Sequence, residues 1–390
     1  MTFAPLFTVA GPAEAVHMTI TQNRTVWHLS AAGLAAIGVS FGFARYGFGL
    51  FLPDLRATFD LDVATVGLIG SGTYAGYLAA LTLVGLLSAR LGPRPLIVAA
   101  GVCATAGLAL VSVAEHTPVL VAGLLLAGTS SGWAWAPYSD VVRAMVAPDR
   151  QERVLAIVPN GTAFGTAVAG VLALAVPWRP AWVLFAAAAL AVTLYNAWLL
   201  RGLPRPERVA AQRIRLTAAS VPLFVSAFSY GVVGSVYWTF AVDMIADDTA
   251  GPLFWTLIGV AGLGGLLTDR ALTLLGLRRT HALLFGALAF AVAVLALAPG
   301  ALPAIGVSAL AYGPAFMAVA AVLTVWSYRV FPERPAAGFS AVVFCLGLGT
   351  IAGPATLGAF AAGHGLPAAF LLTAGLAAAT IAARPATARS

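Results

Sequence analysis

The sequence contains no lysine, so all 21 of its basic residues are arginine. Charge of either sign is scarce, at 9% of 390 residues, where a water-soluble chain carries roughly a quarter. Hydrophobic residues make up 61% and the mean hydropathy is +0.94, which excludes water as the main solvent. Cysteine is nearly absent too. Cys103 and Cys345 each lie in an apolar run, give neither a disulfide framework nor metal-ligand spacing, and read as small packing residues. No HExxH pattern occurs, and GxSxG occurs only at Gly38 to Gly42 and Gly128 to Gly132, inside helical runs and not at a strand-to-helix turn. No catalytic residue, metal site or cofactor is therefore expected. Ahead of the first apolar run there is no basic region, so a cleaved signal is not expected; residues 1–25 read as a mobile cytoplasmic tail, with Met18 as a second candidate start.

What is present is apolar sequence in lengths that match a bilayer. Residues 96–113 and 282–310 carry no charge. At about 20 residues per crossing, spans fall near 28–52, 62–87, 95–113, 118–141, 154–176 and 180–200, then 217–242, 253–268, 281–299, 302–328, 338–361 and 366–383. The expected fold is an all-α integral membrane protein of twelve helices in two six-helix bundles, residues 26–200 and 217–390, joined by a polar cytoplasmic linker over 201–216. With the N-terminus inside, 18 of the 21 arginines fall in cytoplasmic loops and tails; only Arg56 and Arg179 lie outside, and Arg45 lies within the first span. Outside loops hold Asp54, Asp60, Asp62, Glu115, Asp243, Asp247 and Asp248. This positive-inside asymmetry accounts for the net charge of +7 without a nucleic-acid partner, and it places both termini in the cytoplasm.

Sliding the chain against itself by about 184 to 189 positions superposes features in series. Leu68-Ile69-Gly70 meets Leu257-Ile258-Gly259, Asp54 meets Asp243, and Pro148-Asp149-Arg150 meets Pro332-Glu333-Arg334. Gly161, Gly165 and Gly170 of span five meet Gly349, Gly353 and Gly358 of span eleven. Six spans separate equivalent points, so the halves run in the same sense, the plan of a carrier whose halves rock about a midplane site.

The stretch GLLSARLGPRP at 85–95 resembles the loop signature of the major facilitator superfamily, with Gly85, Arg90, Gly92 and Arg94 in place but Ala89 where that family has an aspartate. GLLTDRALTLLGLRR at 265–279 is the second-half counterpart and contains Asp269 and Arg270. The glycines of spans five and eleven resemble the family's antiporter motif, although only span eleven has the Gly353-Pro354 pair. FGFARYGFGLFLP at 41–53 and WSYRVFPERPAAGFSA at 326–341 are similar to a poorly characterised bacterial branch. The resemblance implies a secondary transporter working by rocker-switch alternating access in the plasma or inner membrane, a small-molecule substrate, a monomer in the lipid bilayer, and efflux by proton antiport as one mode. The five histidines, His17, His28, His116, His281 and His364, all lie near ends or loops, so protons as coupling ion rest on the family alone, and facilitated diffusion or anion exchange stays open. A non-transporting receptor, a scramblase or an intramembrane enzyme on the same scaffold is the alternative.

Arg45 is the most informative single position, because a charge within a span costs several kcal/mol and rarely faces lipid. At 1.5 Å per residue it lies roughly 7 Å beyond the midplane toward the outside, where no carboxylate of the sequence shares its depth. Two roles remain open for it: a fork for a carboxylate, phosphate or similar anion in a central cavity, or a cation that snorkels toward Asp54 or Asp243 or caps helix carbonyls. Tyr46, Asn160, Tyr230, Tyr237, Trp238 and Tyr312 are candidates to line the same cavity. At the cytoplasmic face a gate is expected from Arg90 or Arg94 with Asp140, beside Arg143, and from Asp269 with Arg329, closing the inside when the cavity faces out. Gly161, Gly165, Gly170, Gly349, Gly353, Pro354 and Gly358 read as close-packing positions on faces where the halves slide.

Overall fold

A computed structural model describes residues 26–203, 218–245 and 247–385, so the tail over 1–25 and nearly all of the linker over 201–216 lie outside the described residues. The described chain is helical, and its helices are long and apolar because each must satisfy its own backbone in lipid. The first pass, α1, covers residues 26–59 in several pieces. Then come α2 (Val63–Leu91), α3 (Pro93–Ser112), α4 (Thr117–Met145), α5 (Pro148–Ala175), α6 (Trp178–Leu199) and α7 (Val221–Ile245). Ala250–Leu297 is continuous by hydrogen bonding, yet an unbroken helix of that length would be about 72 Å long, over twice the hydrocarbon thickness. Gly276, at φ 73°, turns the chain back and divides it into α8 (250–275) and α9 (277–297). α10 (Leu302–Val330), α11 (Pro335–His364) and the shorter α12 (Leu366–Thr380) complete twelve passes.

The duplication read from the sequence recurs in the backbone. Gly92, between α2 and α3, has φ 78°, and Gly276 holds the same place in the second half at φ 73°; both positions need a residue without Cβ. Asp62 caps α2 by accepting from Thr65 N at 2.6 Å, and Asp247 caps α8 by accepting from Ala250 N at 2.6 Å. Those backbone bonds hold both exposed carboxyls below the usual carboxylate range.

Helix ends depart from the sequence reading in two places that matter. Span five begins at Pro148 and not at 154, since Pro at the first turn starts a helix well. α8 continues beyond 268 through a 3₁₀ stretch, Leu263–Leu267, so Asp269 and Arg270 are helical and not in a loop.

The two halves meet along mirrored seams. Gly161 and Gly165 press on Gly38 of α1 inside the first half, while Gly349 and Gly353 press on Phe228 and Val232 of α7 inside the second. Gly170 faces Pro252 and Thr256 of α8, and Gly358 and Pro354 face Gly67 of α2, so these three lie between the halves. The glycine ladder thus splits: four positions pack a helix into its own bundle and three form the seam.

Candidate functional site

α1 and α7 are the two most buried spans and face each other across the centre of the molecule. α1 is not a regular helix here. Ala44 N bonds Val39 O and Tyr46 N bonds Phe41 O, five residues back, so Gly38–Phe43 is a π-helix. Such a bulge rotates the residues that follow it and recurs at functional sites. It leads directly into Arg45, which is 7% exposed.

Arg45 is enclosed by rings. Its guanidinium carbon lies 4.0 Å from the Tyr77 ring centroid, 4.8 Å from Tyr74, 5.4 Å from Phe41 and 5.8 Å from Tyr46. Nη1 donates to Ser131 Oγ of α4 at 3.4 Å, and Nε has no partner. Among the described residues no carboxylate forms an ion pair with it. Ring faces attract a cation by about 0.5–2 kcal/mol each, but they offer no acceptor to an N–H group, and a buried unpaired donor costs about 1–3 kcal/mol. The cage therefore holds the charge in place without neutralising it.

A cavity of about 560 Å³ opens beside this cage. Arg45, Tyr46, Asn160, Tyr230 and Trp238 line it, as the sequence suggested, together with Tyr74, Tyr77, Trp135 and Phe316. Leu155, Asp269, Thr324 and Phe339 extend it to the arginine-rich end of the bundle, where it opens. Tyr237 and Tyr312 do not line it. Both are fully buried one layer behind the wall, stacked on each other with centroids 3.6 Å apart, and Tyr237 shares a hydrogen bond with Ser308. They pack the second half and brace Trp238. Asn160 donates to Ala156 O within its own helix, so its carbonyl oxygen is the part left for a ligand.

The opposite, acid-rich end is shut by contacts between the halves. Tyr46 stacks on Trp238 at 4.3 Å, and a Cβ on Gly49 would overlap the Trp238 carbonyl. Arg56 Nη1 donates to Asp243 Oδ2 at 2.5 Å, joining α1 to α7. Ser71 of α2 reaches into α11, donating to Ile351 O at 2.6 Å and accepting from Ala355 N at 2.9 Å. Those two backbone groups are the pair that an uninterrupted α-helix would bond to each other, so a hydroxyl from one half is inserted in the ladder of the other beside Pro354. Neither Arg56–Asp243 nor Ser71 was singled out from sequence. The repeat pairs Asp54 with Asp243, which hid the true partner of Asp243, two residues further on.

At the arginine-rich end, Asp140 accepts from Arg143 at 2.6 Å within α4, and Arg94 donates to Ala197 O of α6. No ion pair joins Arg90 or Arg94 to Asp140, or Asp269 to Arg329, among the described residues. A Cβ on Gly85 would meet nothing within 4 Å. In this conformation the expected gate residues stand apart at the open end, and Asp269 lines the cavity mouth. Arg45 approaches neither Asp54 nor Asp243 as an ion partner; Asp243 is already engaged by Arg56.

A family model described as "Uncharacterised MFS-type transporter YbfB" matches residues 37–384. Monocarboxylate transporter 11 of Homo sapiens is 33% identical over 217 residues, 54% of this chain and 45% of that protein. A chloramphenicol resistance protein of Streptomyces lividans is 27% identical over 265 residues, 64% of this chain and 62% of that one. The chain thus spans about half to three-fifths of the length of these curated relatives. Among solved structures, the nucleoside transporter NupG superposes with a TM-score of 0.72 at 13% identity, covering 92% of this chain and 98% of that one. A bacterial homologue of the human lysosomal transporter Spinster superposes with a TM-score of 0.65 at 16% identity, covering 93% and 94%. At these identities the superpositions establish the fold.

Proposed function

The chain belongs to the MFS-type transporter family that matches it over residues 37–384, and from that premise we propose that it carries a small organic anion through alternating access, with Arg45 as the anion's ligand. One observation carries this reading: a buried guanidinium lines the central cavity with Nε unpaired and, among the described residues, no carboxylate paired with it. A carboxylate entering the cavity supplies the missing acceptor and neutralises the charge in a low-dielectric site, and Arg presents a fork that matches its two oxygens. The relative named for monocarboxylate transport supports an anionic cargo.

The rest of the cycle follows from the asymmetry of the two ends. By the arginine bias the open end is the cytoplasmic one and both termini lie inside, so the structure is the inward-facing state in the plasma or inner membrane. Opening outward requires release of Arg56 from Asp243, withdrawal of Ser71 from α11, and approach of Arg90, Arg94, Asp140, Asp269 and Arg329 at the inner end. The protein acts as a monomer in the bilayer.

Reconstituted in liposomes, the wild type is expected to take up a labelled organic acid, and Arg45→Ala to lower uptake roughly 10- to 100-fold, the value of a charge-assisted hydrogen bond. Arg45→Lys is expected to recover only part, because an ammonium is a point charge and not a fork. Anion uptake unchanged in Arg45→Ala overturns the proposal. A second reading, export of an apolar drug by proton antiport, is favoured by the ring-lined cavity and by the chloramphenicol resistance relative. Transport of neutral compounds that is indifferent to Arg45 would establish it instead.

A further inference from the structure

Ser131 and Trp135 are both on α4, four residues apart, and therefore on one face with a separation of about 6 Å along the axis. Ser131 holds Nη1 of Arg45, and Trp135 lines the same cavity, one helical turn nearer the open end. Several rings in the cavity wall are already engaged at a face: Tyr46 and Trp238 by each other, Phe316 by Tyr312, and Tyr74 and Tyr77 by the Arg45 guanidinium. Trp135 differs. Its one ring neighbour among the described residues is Phe41, at 5.8 Å and edge-on at 65°, and it is half-buried in the cavity wall, so at least one indole face has no ring against it. Across the space from α4, Phe316 of α10 supplies an apolar wall. Among the described residues Arg45 is the one cation lining the cavity, and the charged residue at its mouth is an acid, Asp269.

Resting on the anion reading above, we infer that the cargo is an aryl monocarboxylate, its carboxylate on Arg45 and its ring on Trp135 about one helical turn toward the cytoplasmic mouth. The charge arithmetic selects a single negative group: a second carboxylate at the far end of the molecule meets Asp269 and no cation. The ring geometry selects an aromatic body over an alkyl chain of equal size, since stacked rings gain over area burial alone.

The test is calorimetric binding to the purified full-length protein in detergent at pH 7, with phenylacetate, hexanoate, phenylacetamide and 1,4-phenylenediacetate as probes. Phenylacetate is expected to bind about fivefold tighter than hexanoate and at least tenfold tighter than phenylacetamide and the dianion. Trp135→Leu should erase the preference for phenylacetate over hexanoate, and Trp135→Phe should keep it. Equal binding of phenylacetate and hexanoate by the wild type, or a preference that survives Trp135→Leu, overturns the aryl inference and leaves the anion reading standing. Equal binding of phenylacetate and the dianion overturns its single-charge part. Phenylacetamide binding as well as phenylacetate, or no binding by any acid, overturns both.

Discussion

Arg45 and Arg56 show how two guanidinium groups a few turns apart on one helix take opposite parts. Arg45 is caged by aromatic faces and unpaired at Nε, whereas Arg56 is one-third exposed and spends its charge on Asp243 of the other half. Breaking a partly buried pair by removing one member leaves the other uncompensated, so Asp243→Asn is expected to weaken the acid-rich seam and shift the conformational balance outward by roughly tenfold. The exchanged pair, Arg56→Asp with Asp243→Arg, should restore the balance. Solvent access to a cysteine introduced at Thr239, which is buried in the same seam against Gly70 of the other half, measured by labelling from the outside, reads the shift; unchanged access in Asp243→Asn would show that the pair is not a latch. Arg45 was legible in the sequence because an isolated charge in an apolar run has so few affordable settings. Arg56 and Asp243 were not, since each looked like an ordinary loop charge and nothing local joins positions so far apart. Tyr237 and Tyr312 were misplaced for a related reason: hydropathy gives the depth of a residue in a helix, but not which neighbour its face meets.

At the scale of the element, the glycines and one serine define what each helix is able to approach. A methyl group on Gly49 has no room against the Trp238 carbonyl while the acid-rich end is shut, whereas a methyl group on Gly165 collides with Gly38 inside one bundle. Gly49→Ala is therefore expected to leave the fold intact and populate the outward-open form, and Gly165→Ala to lower thermal stability instead. Labelling access and the unfolding midpoint, measured on both variants, separate the two; identical behaviour would remove the distinction between seam and bundle packing. Helix caps behave more simply. Asp247→Ala should lower the unfolding midpoint and Asp247→Asn retain most of it, because either side chain accepts from the first-turn amides. The carboxyl's lowered folded-state titration means this contribution is present above the ordinary carboxylate range and fades as pH falls below it. In the sequence Asp62 and Asp247 read only as outside charges and Gly92 only as part of a loop signature, and the π-helix in α1 was not legible at all: no residue pattern announces an extra residue per turn, and α5 packs against it at Gly38 and Gly42.

For the whole molecule, twelve passes in two like-handed halves were readable because bilayer thickness and arginine distribution are global constraints that composition alone obeys. Which end is open was not readable, since both conformations share one sequence. Sidedness remains directly testable: single cysteines in the 201–216 linker and near residue 385 should both react only after the membrane is permeabilised. Labelling of the linker from the outside of intact cells would invert the assignment of the open end.

The caged guanidinium has an electrical consequence. In the proposed cycle the empty site carries one fixed positive charge, and the site loaded with a monoanion carries none. The transmembrane voltage falls mainly across whichever end is closed, so switching the empty carrier moves that field past the charge, at a cost of up to about 2.3 kcal/mol per 100 mV. Polarisation negative inside then holds the unloaded protein with its mouth to the cytosol and leaves the loaded step nearly indifferent to potential. Net uptake limited by the unloaded return should slow on hyperpolarisation, while one-for-one swapping of cargo should not.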